Sequence, residues 1–180
     1  HGGFLLDPKV KELGKKIQKK SLYDRDKSKS LFIERVNKLS LFAKSRKITL
    51  LIENNVLSLK NYNEFSENIL LMVDTNECVE IMKSVNKNVK MLIDVAHLKV
   101  SSNSLKFCKI DFLRKLDPWI EAYHLSDNQG QEDNNEGISS QSWFWPYLRR
   151  DLFYYSLEVY NVDTEELYKQ RNLAMDMLYN

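Results

Sequence analysis

Four short apolar runs, each closing on polar residues, alternate with stretches of helical character, and this alternation restricts the fold more than any other feature. The runs are "ITLLIENN" (48–55), "VKMLIDVAHL" (89–98), "WIEAYHLSDN" (119–128) and "LFYYSLEVYN" (152–161). The first follows a helical stretch at 30–43, whose apolar residues include Leu31, Phe32, Val36, Leu39, Leu41 and Phe42. The second follows "DTNECVEIMKSV", with Asp74 as helix N-cap and Glu77 three residues on. "KIDFLRKLD" precedes the third run. "DTEELYKQRNLAMDMLY" follows the fourth, opening on an Asp163–Glu166 capping box. Strands alternating with helices require parallel pairing with helical crossovers, and short apolar strands suit a sheet buried by helices. The expected strands lie near 48–53, 90–95, 120–125 and 153–158, parallel and adjacent.

Parallel strands end on one face, so residues at their C-terminal ends converge. Each run ends in an acid or a histidine: Glu53; Asp94 with His97; His124; Glu158. Each has an ordinary reading, as a turn former, a helix cap, a core histidine or a lysine's partner. Together they are harder to dismiss. Carboxylates flanked by apolar residues are expected to be buried, and buried carboxylates repel unless a cation lies among them. Glu, Asp, His and Glu make an oxygen and nitrogen donor set suited to Mn²⁺, Co²⁺, Mg²⁺ or Zn²⁺.

"LLIENN", "MLIDVAHL", "YHLSDNQGQED" and "YSLEVYN", in this order and spacing, resemble the xylose isomerase-like TIM barrels. That superfamily holds sugar phosphate isomerases and epimerases and the family 2, endonuclease-IV-type apurinic endonucleases. The resemblance covers nearly the whole chain. It implies an α/β fold, a (β/α)8 TIM barrel present in part, from about strand 3 to strand 8, as one domain over 1–180. The opening "HGGF" resembles the end of the third barrel strand, which makes His1 a site position and leaves the first two strands outside this sequence.

The resemblance implies metal ligation by Glu53, Asp94, His124 and Glu158, catalysis by Glu53 and Glu158, and substrate contacts from His1, His97 and Asp133. In the epimerase branch the two glutamates serve as acid and base on opposite faces of a sugar, and the metal holds the sugar oxygens. "SDNQGQED" is then the loop over the barrel mouth. Where the endonuclease branch has Asp-x-His for a further zinc, this chain has Asp133 and then Asn135, a poor zinc ligand. Trp143, Phe144, Trp145 and Tyr147 suit either a pocket wall or the core.

The expected function is therefore a metal-dependent isomerase or epimerase of a small sugar or sugar derivative, transferring a proton alpha to a carbonyl. Two alternatives stand beside it: an abasic-site repair endonuclease, and an inactive barrel fragment. Residues 1–50 carry 14 Lys/Arg against 5 Asp/Glu, and residues 121–180 carry 4 against 11, within a net charge of +2. The basic third could face phosphate, but lysine excess is more often the wet side of helices, so nucleic acid is not expected as a partner. No apolar run is long enough to span a bilayer. Cys78 and Cys108 form no disulfide framework, and a cytoplasmic protein with no membrane contact and a capacity to form homo-oligomers is expected.

Overall fold

A computed structural model describes residues 2–13 and 15–179. His1 lies outside the described residues. The strands are β1 (Leu50–Glu53), β2 (Val89–Asp94), β3 (Ile120–Leu125) and β4 (Tyr154–Leu157). They form one sheet in the order β1-β2-β3-β4, and every neighbouring pair is parallel. The helices are α1 (Arg25–Ser45), α2 (Leu59–Phe65), α3 (Thr75–Ser84), α4 (Val95–Leu105), α5 (Lys109–Leu116) and α6 (Thr164–Tyr179). This is part of a (β/α) barrel: a parallel sheet with helices on one side, its edges β1 and β4 not joined to each other.

Local chemistry sets the helix starts. Asp24 and Ser58 accept from Lys27 N and Asn61 N at the starts of α1 and α2, and Asp163 accepts from Glu166 N ahead of α6. Asp74 accepts from Asn76 N and Glu77 N. Glu77 does not complete a capping box. Its carboxylate is drawn to Met72 N and Arg25 Nε, while Arg25 also binds the carbonyls of Asn68 and Leu70. That network pins the connection before α3.

The core lies between sheet and helices. Val89, Met91 and Ile93 of β2 are fully buried on the sheet face that strand alternation turns toward the helices, in one cluster with the fully buried Ile81 of α3 and Phe112 of α5. Phe112 stacks on Phe107 with centroids 5.9 Å apart. Phe112→Ala is expected to cost about 3–5 kcal/mol, the usual loss for an emptied aromatic core position. Urea denaturation checks this, and a loss under about 1 kcal/mol would mean that the site collapses freely.

One element forms as expected with a detail the sequence reading did not address, and another differs from it. The helix at 30–43 forms, but Leu31, Leu39, Leu41 and Phe42 are exposed, and only Phe32, Ile33, Val36 and Ala43 pack inward. Its apolar residues spread round more of the helix than this chain covers. The opening segment, expected at the end of a barrel strand, joins no parallel pair. Phe4 forms an isolated antiparallel bridge with Leu70, and Gly3 O accepts from Leu71 N. Its backbone partners come from the 69–71 connection, which runs the opposite way. Gly2 permits this approach, because a Cβ there would stand 2.6 Å from Leu71 O.

Candidate metal centre

Register brings the strand ends together. Asp94 is paired with His124, and Glu53 ends the strand beside β2. Glu158 extends the ladder past β4, its N–H donating to Leu125 O at 3.1 Å. One donor atom from each of Glu53, Asp94, His124 and Glu158 lies within 4.8 Å of all the others. His124 Nδ1 is 2.7 Å from Glu158 Oε2, 3.2 Å from Glu53 Oε1 and 3.8 Å from Asp94 Oδ2.

These atoms are close without being satisfied. Asp94 Oδ2, His124 Nδ1 and Glu158 Oε2 are buried and make no hydrogen bond of normal geometry. Protein hydrogen bonding would align such groups with one another. Three imperfectly paired donors facing one point, with a fourth from Glu53, fit a divalent cation by number and by type. The cluster could hold a metal.

The surroundings fix the donors. Asp94 has no exposed surface. Its Oδ1 accepts from His97 N at 2.7 Å, capping α4, which leaves Oδ2 for the cluster. Asp94 thus caps α4 with one oxygen and turns the other toward the cluster. Asn54 carries the β1–β2 ladder one step further with its side chain: Asp94 N donates to Asn54 Oδ1, and Asn54 Nδ2 donates to Asp94 O. The Asn54 carbonyl also meets His97 Nδ1 at 3.0 Å. Tyr160 donates to Glu158 Oε1 at 2.7 Å.

His97 is buried beside the cluster. Its ring lies 3.8 Å from Glu53 and 3.9 Å from Asp94, and its Nε2 meets Asp133 Oδ2 at 3.1 Å. Burial opposes its charge, but Asp133 and Asp94 outweigh that and lift it to about 9. Burial pushes Asp94 up to about 6 against the pull of His97. For Glu53 burial acts upward too, yet His124 and His97 prevail and hold it below the usual range. Glu53 raises His124 in turn, burial opposing and Glu158 and Asp94 adding to the rise. Hydrogen bonding to Glu158 and then burial push the Tyr160 phenol up to about 12, so it stays a donor.

The loop after β3 answers to its unusual composition. Asp127 and Glu136 exchange backbone hydrogen bonds across its neck. Lys99 binds Asp127 Oδ1 at 2.6 Å, and Asn128 Oδ1 accepts from Gly130 N, which has φ +77°. Asn135 is buried, with φ +47°, and its carbonyl accepts from Tyr160 N. Asparagine tolerates that left-handed geometry better than most side chains. The loop thereby sets Asp133 against His97, and both line a cavity of about 570 Å³ with Asn55, Asn61, Lys60 and Glu132.

Among the expected site residues, Glu53, Asp94, His124 and Glu158 come together, with His97 and Asp133 beside them. Sequence reasoning missed Asn54 and Tyr160. The doublet Asn54-Asn55 directly after Glu53 was the available signal for the first. Phe144 and Trp145 are core residues, and Trp145 Nε1 donates to Ser139 O at 2.7 Å. None of the four aromatic residues at 143–147 lines the cavity at His97. Among the described residues no helix is long and apolar enough to cross a membrane.

No protein-family model and no curated protein sequence matches the chain. Solved structures do. The probable 3-DHS dehydratase AsbF of Bacillus anthracis, involved in petrobactin synthesis, is 16% identical, with a TM-score of 0.58 over 86% of this chain and 58% of that one. The 3-keto-D-glucoside 4-epimerase YcjR of E. coli is 13% identical, with a TM-score of 0.60 over 88% and 56%. The D-psicose 3-epimerase of Clostridium cellulolyticum H10, solved with D-tagatose, is 16% identical, with a TM-score of 0.55 over 88% and 54%. The chain thus spans little more than half the length of these structures, and the likeness is one of fold.

Proposed function

We propose that this chain carries the centre of a metal-dependent isomerase or epimerase acting on a small sugar or sugar derivative. The observation that carries the reading is the convergence of Glu53, Asp94, His124 and Glu158 at four parallel strand ends, with donor atoms within 4.8 Å. The two epimerases of similar fold support the substrate class. Those four residues would hold the ion, which when bound supplies polarisation of a carbonyl and so acidifies the neighbouring C–H.

The remaining steps belong to the chain. One of Glu53 and Glu158 takes the proton alpha to the carbonyl, and the other returns one to the opposite face. His124 and His97 hold Glu53 ionised, and Tyr160 orients Glu158. His97, held through its two ring nitrogens by Asp133 and the Asn54 carbonyl, sets a positive charge beside Glu53 and the substrate. The chemistry calls for no membrane and no nucleic acid. The unbonded thiols of Cys78 and Cys108 support a cytoplasmic setting.

The test is solvent exchange. The chain loaded with Mn²⁺ is incubated in D₂O with a panel of ketoses, and NMR follows deuterium at the carbon beside the carbonyl. An abasic duplex runs in parallel. Deuterium uptake that EDTA abolishes is expected. Strand nicking without uptake would replace the reading with the endonuclease one.

The likeness to AsbF favours a second reading, a dehydratase. The same proton abstraction then expels a hydroxyl from the next carbon as water. New ultraviolet absorbance from a carbonyl conjugated to C=C distinguishes that outcome.

A further inference from the structure

The doublet Asn54-Asn55 follows Glu53 directly, and its two side chains go separate ways. The main-chain ladder between β1 and β2 ends at Glu53, paired with Leu92. Past it, Asn55 N donates to Met72 O and the Asn55 side chain donates to Gly2 O. The backbone of β1 thus turns away from β2 just where Asp94 needs a partner. Asp94 has no exposed surface, so an unpaired N–H or carbonyl there would be cut off from water as well. The Asn54 side chain takes the place of the missing rung. A carboxamide offers an acceptor oxygen and an N–H donor side by side, as a peptide group does. Its Oδ1 accepts from Asp94 N at 2.8 Å, and its Nδ2 donates to Asp94 O at 3.0 Å.

Asn54 reaches two further members of the site. It follows Glu53 in the chain, so the residue that bears one candidate ligand is tied through it to both main-chain groups of another. Its carbonyl meets His97 Nδ1 at 3.0 Å. A carbonyl oxygen only accepts, so Nδ1 carries a proton, and the ring cannot turn over without breaking that bond. His97 N in turn occupies Asp94 Oδ1. With its main chain and one carboxylate oxygen held, Asp94 has only Oδ2 left for the cluster, and that oxygen is buried without a hydrogen bond. Asn54 itself is 1% exposed.

We propose that Asn54 is a positioning residue of this centre: its carboxamide holds the ends of β1 and β2 at the spacing at which Glu53 and Asp94 face one divalent cation. Asn54 touches neither the ion nor the substrate. Its bonds run to main-chain atoms of Asp94 and to His97 Nδ1, atoms that the cation does not claim, so the clamp is in place before the ion arrives. The proposal rests on the metal-centre reading of Glu53, Asp94, His124 and Glu158. Outer groups that orient ligands in this way contribute about 10–100-fold to metal affinity. A residue that merely closes off a strand end would support the fold and leave affinity untouched.

Mn²⁺ binding by the full 180-residue chain, read from the EPR signal of the free ion well below the melting temperature, separates these two roles. Asn54→Ala is expected to raise Kd by about 10–100-fold. Asn86→Ala is the control. Asn86 lies ahead of β2, at the end of the sheet away from the site, and its side chain also donates twice, to Asn37 O and Ser40 Oγ. This second variant should melt below wild type in EDTA yet keep Kd within about twofold, as distant and independent positions do. An Asn54→Ala chain that binds Mn²⁺ like wild type overturns the proposal and leaves the metal centre standing. Equal weakening by both substitutions overturns it too, because that marks a general loosening of the fold. A wild type that binds no Mn²⁺ removes the metal-centre reading and the proposal with it. If Asn54→Ala does not fold, hydrogen exchange of the Asn54 Nδ2 protons in wild type decides the matter. They should be protected from solvent equally in EDTA and with Zn²⁺, and protection that appears only with Zn²⁺, or in neither condition, overturns the proposal.

Discussion

Glu158→Gln lowers deuterium exchange into a substrate's alpha position by about 10²–10⁴-fold, the range that a positioned acid–base group contributes. The amide has nearly the same shape and can still receive the Tyr160 hydrogen bond, now made to Glu158 Oε1 at 2.7 Å. It cannot accept the proton. Circular dichroism and the melting temperature should therefore stay near wild type, because Glu158 sits at the rim with 27% of its side chain exposed. Mn²⁺ should still bind, more weakly, since an amide oxygen donates less charge than a carboxylate. NMR in D₂O reads the exchange, and a rate within tenfold of wild type would remove Glu158 from the acid–base pair.

The legibility of that site in the sequence has a physical basis. A parallel sheet aligns its strand ends, so "LLIENN", "MLIDVAHL", "YHLSDN" and "YSLEVY" each deliver their polar residue to one face without any knowledge of distant contacts. The strands found at Leu50–Glu53, Val89–Asp94, Ile120–Leu125 and Tyr154–Leu157 follow from the same local signal. Asn54 escaped because its partner is backbone 40 residues away, and a side-chain amide that substitutes for a strand rung leaves no periodicity. Tyr160 escaped because its role depends on how the chain turns after β4. Helix α1 shows the opposite limit. Leu39, Leu41 and Phe42 belong to the apolar spacing that signals the helix, yet all three are exposed, since apolar spacing signals a helix without saying which of its faces the fold covers.

A final expectation separates a metal centre from a mere knot of polar groups by giving one substitution opposite effects in two states. Mn²⁺ at a hundredfold excess over its Kd stabilises the chain by about 2.7 kcal/mol. For a domain of this size that corresponds to a rise of roughly 5–10 °C in melting temperature. Asp94→Asn abolishes the rise. Asparagine keeps an oxygen for His97 N, now 2.7 Å from Asp94 Oδ1, so the cap of α4 survives. It loses the charge on Oδ2, a fully buried oxygen with no hydrogen bond of its own. Without metal, that oxygen is a desolvated negative charge near two other carboxylates, and its removal relieves the fold. The variant should therefore melt at or above wild type in EDTA and below it in Mn²⁺. Differential scanning calorimetry of both proteins in both buffers gives the four values. A variant less stable than wild type by the same margin in both buffers would show that Asp94 does not act through the metal, and a wild type whose melting temperature is the same in both buffers would show that the cluster binds no Mn²⁺, whereas a crossing of the two orders is the mark of Asp94 acting through the metal.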